Sequence, residues 1–266
     1  KLATRLKPDL ITLDLEMPVM DGFTFLRIIM GMSPVPIIVI SSRSEGDNVF
    51  KAMELGAVDF IPKPNHTPSI TLFNIQDELT MKINMLPHLK MDKVVKGIFK
   101  PIQKSSSQEG IRRTNTEIGF AVIAIGSSTG GPPAISAILP YLTEEFPITV
   151  VISQHMPPGF TKPFAERLDK LCKMRVREAG NDEEVKPGDI LIAPGGYHLA
   201  FKSKNKTILT QLLEKREQDR YVPSIDIMFS SSAQIWGERI LAVILTGMGQ
   251  DGREGVIKIK EKGGYV

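Results

Sequence analysis

Residues 120–131 read FAVIAIGSSTGG. Phe120 to Ile125 is a short apolar run rich in β-branched residues, the pattern of a buried strand. It enters a turn of small residues, and Pro133 to Leu142 predicts the helix that follows. The same order recurs downstream. Ile148 to Ser153 (ITVVIS) ends at Gln154-His155-Met156-Pro157, and Lys162 to Cys172 predicts a helix. Ile190 to Ala193 stops at Pro194-Gly195-Gly196. Pro223 and Ser224 enter a helix over Ile225 to Gln234. Ile240 to Leu245 (ILAVIL) ends at TGMGQDG, and a last helix starts over Arg253 to Lys260. Strands alternating with helices imply βαβ units and a parallel sheet covered on both faces. The spacing therefore predicts a doubly wound, Rossmann-like α/β domain over residues 118–266.

Upstream lies a second, shorter α/β series. Leu10 to Leu15 (LITLDL), Ile37 to Ile40 and Asp59 to Ile61 read as strands. Asp21 to Met32 and Asp47 to Leu55 read as helices, and Leu72, Ile75, Leu79 and Ile83 carry helical spacing over Ile70 to Met85. Residues 1–86 thus form a first domain. Residues 87–117, with lysines, a Ser-Ser-Ser run, Gln and Gly, have linker composition. The Gly-Gly-Tyr-Val end reads as a turn entering a strand, and the Lys1 start lacks a Met, so a fragment cut at both ends is expected.

Composition excludes several classes. With 42% hydrophobic and 24% charged residues, the values are those of an ordinary globular protein, which excludes the collagen-like, fully disordered and coiled-coil classes. A net charge of +3 gives no electrostatic case for a nucleic-acid binder. The single cysteine, Cys172, forbids an internal disulfide framework, so a reducing cytoplasmic setting is expected. No apolar run reaches the roughly 18 residues of a membrane span, so no membrane insertion is expected.

In open α/β sheets, ligands sit beyond the carboxyl ends of the strands. In the first domain those ends carry Asp14 and Ser41, and Lys63 follows the third strand. A carboxylate, a hydroxyl and an ammonium at one rim suit phosphoryl transfer to the carboxylate, with a hard cation such as Mg²⁺ alongside. In the second domain, Gly126-Ser127-Ser128-Thr129-Gly130 fits G-x-S-x-G between a strand and a helix. The helix N-terminus behind it offers unpaired N–H groups and a positive pole. The string alone equally suits a nucleophile, a phosphate cradle or a plain turn. A serine nucleophile needs a base and an orienting carboxylate. Of the four histidines, His155 sits at the end of the strand expected beside the serine strand, and Asp251 follows ILAVIL.

These residues carry a resemblance. LDLEMPVMDG, VISS and DFIPKP resemble the receiver domain of bacterial response regulators, which has a flavodoxin-like fold. The resemblance implies that Asp14 accepts the phosphoryl group, that Ser41 and Phe60 are switch residues, and that Lys63 senses the phosphate. It implies a cis Lys63–Pro64 bond, and Mg²⁺ held by Asp14 and the Glu16 carbonyl. That metal set is incomplete, because the family's acidic pair lies in a first strand that this chain lacks. AIGSSTGG, SQHMP, APGGYH, PSID and LTGMGQDG resemble the catalytic domain of the CheB family of chemotaxis methylesterases and glutamine deamidases. The family commonly has Ala at Ser127, which aligns its nucleophile with Ser128. The resemblance then implies His155 as general base, Asp251 as its orienting group, and Met248 and Thr129 at the oxyanion site. Gly195, Gly196, His198, Pro223, Ser224 and Asp226 match further motifs, which implies that they shape the cleft; turn and helix-cap roles are the alternative. It implies no cofactor for the hydrolase, methyl-accepting chemotaxis receptors as substrates and a chemotaxis histidine kinase as phosphodonor. It also implies a receiver that covers the active site until Asp14 is phosphorylated. The alternative is a non-enzymatic regulator binding a phosphate-bearing ligand at GSSTGG.

Overall fold

In the computed structural model the described residues are 2–42, 46–63, 76, 79–80, 82–84, 120–144, 146–247 and 249–266. The chain divides into two compact units, Lys1–Gly119 and Phe120–Val266.

The first unit begins with a short helix, α1 (Leu2–Leu6), which the sequence reading did not anticipate. Then come β1 (Ile11–Asp14), α2 (Gly22–Met32), β2 (Ile37–Ser41), α3 (Gly46–Glu54) and β3 (Asp59–Pro62). The strands form a parallel sheet in the order β1-β2-β3. Each α2 residue that the 3.6-residue period places inward, Leu26, Ile29 and Met30, is buried. Asp21 caps α2 by accepting the Thr24 N–H at 2.9 Å, and this sets the helix start one turn beyond the β1 rim. The helix read over Ile70 to Met85 lies largely outside the described residues, of which Gln76, Leu79, Thr80 and Lys82 to Asn84 are helical. Residues 87–117 and the Lys63–Pro64 bond also lie outside them.

The second unit runs β4 (Val122–Ser127), α4 (Gly131–Ile138), β5 (Thr149–Gln154), α5 (Thr161–Leu171), β6 (Arg175–Glu178), β7 (Asp189–Ile192), β8 (Tyr197–Lys204), β9 (Thr207–Glu214), α6 (Ile225–Trp236), β10 (Ile240–Ile244) and α7 (Arg253–Glu261). Five strands make one wholly parallel sheet in the order β10-β4-β5-β7-β6. Alternation along β4 and β10 sends Val122, Ala124, Ile240 and Ala242 to one face. There they join Met228, Phe229, Ala233 and Trp236 of α6, Leu199 and Phe201 of β8, and Ile259 of α7 in one buried core.

The sequence reading missed β6 and the antiparallel hairpin β8–β9. The hairpin closes on Asn205 and Lys206, both at positive φ, as a two-residue turn of the primed type requires. The helix read over Pro133 to Leu142 starts earlier, at Gly131, and tightens into a 3₁₀ turn at Leu139–Tyr141. The sheet order decides the site. Chain progress from β4 to β5 runs one way, β10 returns to the other side of β4, and the carboxyl ends of β10, β4 and β5 become neighbours.

Candidate active site

At the rim of the first unit, Asp14 and Lys63 meet. Lys63 Nζ donates to Asp14 Oδ2 at 2.7 Å, and the Glu16 N–H donates to Oδ1 at 3.1 Å. Partial burial pushes the Asp14 pKa up, but the Lys63 and Glu16 hydrogen bonds outweigh it and leave the carboxyl below its ordinary value. Ser41 is fully buried and its hydroxyl donates to the Ser42 carbonyl at 3.4 Å. Phe60 is buried, with the Lys82 ammonium 5.6 Å from its ring centroid and bonded to its carbonyl at 2.7 Å. Mg²⁺ prefers about six oxygen ligands. This rim offers the Asp14 carboxylate and the Glu16 carbonyl, and no group of three or more metal-ligating side chains converges among the described residues. That set is too small to hold the ion by itself.

At the rim of the second unit, β4, β5 and β10 bring three side chains into one line. His155 Nδ1 lies 3.1 Å from Ser128 Oγ, and His155 Nε2 lies 2.7 Å from Asp251 Oδ2. Asp251 also accepts from the Ser224 hydroxyl at 2.8 Å and from the N–H groups of Ile225 and Asp226 at 2.7 and 2.9 Å. These donors form the first turn of α6, whose N-cap is Ser224, so the carboxylate sits on the positive end of a helix. Burial alone would raise the Asp251 pKa. The His155 contact and the two backbone N–H bonds override it and hold the group below the usual carboxylate range. An ionised Asp251 favours the His155 tautomer with its proton on Nε2, which leaves Nδ1 open to take one from Ser128.

Gln154 ties Ser128 and His155 together. Its Nε2 donates to the Ser128 carbonyl at 2.9 Å and to the His155 carbonyl at 3.0 Å, while its Oε1 accepts from Ser127 Oγ at 2.6 Å. Two glycines permit the close packing. A Cβ on Gly131 would stand 2.0 Å from Gln154 Oε1, and one on Gly247 would stand 2.7 Å from Ser128 Cβ. Thr129 is buried beside Ser128, and its carbonyl accepts from Thr246 Oγ1 at 3.0 Å. Met248 lies outside the described residues.

Comparison with known proteins gives this geometry a context. The CheB methylesterase family profile matches residues 123–266, and that of the response regulator receiver domain matches residues 1–72. A protein-glutamate methylesterase/protein-glutamine glutaminase of Geobacter sulfurreducens is 46% identical over 98% of this chain and 75% of its own length. The chain belongs to the CheB methylesterase family. A second relative with the same description, from Caldanaerobacter subterraneus, is 41% identical over the whole chain and 75% of its own length. The crystal structure of the Thermotoga maritima CheB catalytic domain is 44% identical, covers 55% of this chain and 77% of that one, and superimposes with a TM-score of 0.53. CheB membership makes the chain an enzyme, a hydrolase of two-component signalling, and sets aside the non-enzymatic alternative. Receiver domains as a family typically require Mg²⁺ for phosphorylation. No helix among the described residues is long and apolar enough to cross a membrane.

The CheB site holds features that the sequence did not disclose. The Tyr221 ring stacks on the His155 imidazole, with centroids 4.6 Å apart and planes 5° from parallel. Gln154 was visible only as a polar residue ending an apolar strand. The expectation of free N–H groups at the α4 N-terminus needs correction. The Gly131 N–H is spent on the Ser128 carbonyl and the Ala134 N–H reaches back to Gly130. Pro132 and Pro133, between them, have no N–H at all. Residues 131–134 of α4 therefore bring the positive pole of the helix but no free N–H.

Proposed function

We propose that Ser128, His155 and Asp251 carry the methylesterase and deamidase chemistry of this CheB-family hydrolase. The observation that carries the reading is the unbroken line Ser128 Oγ–His155–Asp251, at 3.1 and 2.7 Å, on the ends of three adjacent parallel strands. Ser128 Oγ attacks the side-chain carbonyl carbon of a glutamate γ-methyl ester as its proton passes to His155 Nδ1. The imidazolium is stabilised across Nε2 by Asp251. Collapse of the tetrahedral intermediate expels methanol, which takes the proton from Nδ1. Water, deprotonated by the same nitrogen, then cleaves the acyl-serine and leaves glutamate. On a glutamine side chain the same steps release ammonia. The Met248 N–H, with Thr129 beside the nucleophile, is the proposed oxyanion site.

The substrates we infer are methyl-accepting chemotaxis receptors. The receiver unit takes a phosphoryl group on Asp14 from a chemotaxis histidine kinase, with Lys63 as the counter-ion that follows the new charge and Ser41 and Phe60 as the residues that respond. A two-state equilibrium biased by that phosphate raises hydrolase turnover. The relatives' activities and the Asp14–Lys63 ion pair support this reading.

The test is methanol release from methylated receptor membranes by the full-length protein, with and without a small-molecule phosphodonor. Ser128→Ala is expected to lower release by at least about 10⁴-fold. Substantial release from folded Ser128→Ala protein would remove Ser128 from the mechanism.

A further inference from the structure

A second buried imidazole stands behind the reacting line. His198, on β8, is 1% exposed. Its Nε2 lies 2.9 Å from Asp219 Oδ2, and its Nδ1 accepts the Ser224 N–H at 3.1 Å. Nδ1 accepts the Ser224 N–H, which leaves Nε2 as the ring's donor, aimed at Asp219. Asp219 is held in turn by Arg216, through the backbone N–H at 2.8 Å, Nε at 3.1 Å and Nη2 at 2.8 Å. These hydrogen bonds, led by Arg216, keep the Asp219 carboxyl far below its ordinary value.

Ser224 is the point of contact between the two systems. It is the N-cap of α6 with extended backbone, so its own N–H has no partner within the helix. His198 supplies that partner. Three of the four hydrogen-bond donors to Asp251 come from residues 224, 225 and 226, and the fourth is His155. One three-residue turn therefore aims the carboxylate, and His198 pins the entry to that turn.

We propose that His198 is a positioning residue of the hydrolase, acting through Ser224 to hold the Asp251 carboxylate in line with His155. The proposal rests on the reading of Ser128, His155 and Asp251 as the reacting set. His198 touches none of the reacting atoms. The groups that face it are Ser224 and the Arg216–Asp219 pair, and those that face His155 are Ser128, Asp251 and Tyr221.

Three substitutions separate this role from packing. His198→Asn places an amide oxygen near the position of Nδ1 and keeps an acceptor for the Ser224 N–H. His198→Gln puts its amide near Nε2 and loses that acceptor, and His198→Leu loses both. In phosphodonor-treated full-length protein, methanol release from methylated receptor membranes gives kcat, KM and the pH profile of kcat/KM. Leu and Gln are expected to lower kcat by about 10- to 100-fold with little change in KM, as remote misplacement of a reacting group does. They should also move the acid limb to lower pH, because a misaligned Asp251 stabilises the His155 imidazolium less. Asn should recover most of both. An equal loss in all three variants with an unmoved acid limb would mean packing alone and overturn the proposal, as would full activity in Gln. Ser128→Ala, run alongside, separates the two failures. If it retains release, the reacting set is wrong. If it is inactive while His198→Gln behaves as wild type, only the role of His198 is wrong.

Discussion

Two aspartates, Asp14 and Asp251, lie at the carboxyl-end rims of the two parallel sheets, yet their surroundings are opposite. The Asp14 side chain is 37% exposed and has one cation and one N–H for company. The Asp251 side chain is 5% exposed and accepts from an imidazole, a hydroxyl and two N–H groups. A carboxylate meant to take a phosphoryl group must stay accessible, and its counter-ion must be able to follow the new charge. A carboxylate meant to orient an imidazole must be fixed and remain ionised. Both carboxyls lie below their ordinary pKa, but Asp251 reaches that state against far greater burial, which shows how much its four donors contribute.

The contrast can be broken from either side. The largest effect is expected from Asp251→Asn, a loss of about 10³- to 10⁴-fold in kcat for methanol release. The acid limb of its pH profile should move down, because the His155 imidazolium loses its anion. Phosphodonor labelling of Asp14 should be unchanged. The depressed pKa also has a stability consequence. Ionised Asp251 stabilises the fold above its unfolded pKa of about 3.9 and ceases to as pH falls through the folded value. The stability gap between wild type and Asp251→Asn in urea titrations should accordingly close in acid. Asp14→Asn is the mirror experiment. It should abolish labelling and phosphodonor stimulation while leaving unstimulated turnover within about twofold, a change below one tenfold step of 1.4 kcal/mol. A comparable loss of basal turnover would mean that the two aspartates do not divide the work as their surroundings suggest.

Smaller effects sharpen the picture of the hydrolase rim. Gly131→Ala forces a methyl group against Gln154 and Ser127, so a loss of about 1–3 kcal/mol in urea-induced unfolding is expected. Asp226→Asn is expected to do least. Burial, with the nearby Asp251 charge, raises the Asp226 pKa, so its carboxylate costs stability above the folded value and that cost disappears in acid. The amide can still accept the Gly255 N–H through its oxygen, as Asp226 does at 2.7 Å. At neutral pH its Tm should match wild type or rise by up to about 4 °C, a gain that fades below pH 4.

Much of this could be read from residues alone, for a physical reason. Strands β4, β5 and β10 are unbroken apolar runs because both faces of a parallel sheet are covered; Ser128 and His155 follow β4 and β5 directly in sequence, and Asp251 lies in the loop after β10. What escaped reading was set by contacts distant along the chain. Nothing local in RVRE marks β6, a short strand at the sheet edge in which Val176 alone is buried. The β8–β9 hairpin had a signal in the alternation of Leu199, Phe201 and Leu209 around Asn205, but charged Lys202, Lys204 and Lys206 obscured it. The cap on Asp251 spans about 25 residues of sequence and the Tyr221 stack joins residues 155 and 221, so neither leaves a periodic trace.

The paired prolines that open α4 have a bearing on how two chemistries share one chain. Glycine-rich turns after a parallel strand capture free phosphate and nucleotides when the next helix presents its N–H groups to them. With Pro132 and Pro133 in that position and Gly131 already engaged by Ser128, the first residues of this helix have no free N–H to offer an anion. A phosphate ion reaching this turn would therefore meet no free N–H from residues 131–134, unlike one seated in a glycine-rich phosphate cradle.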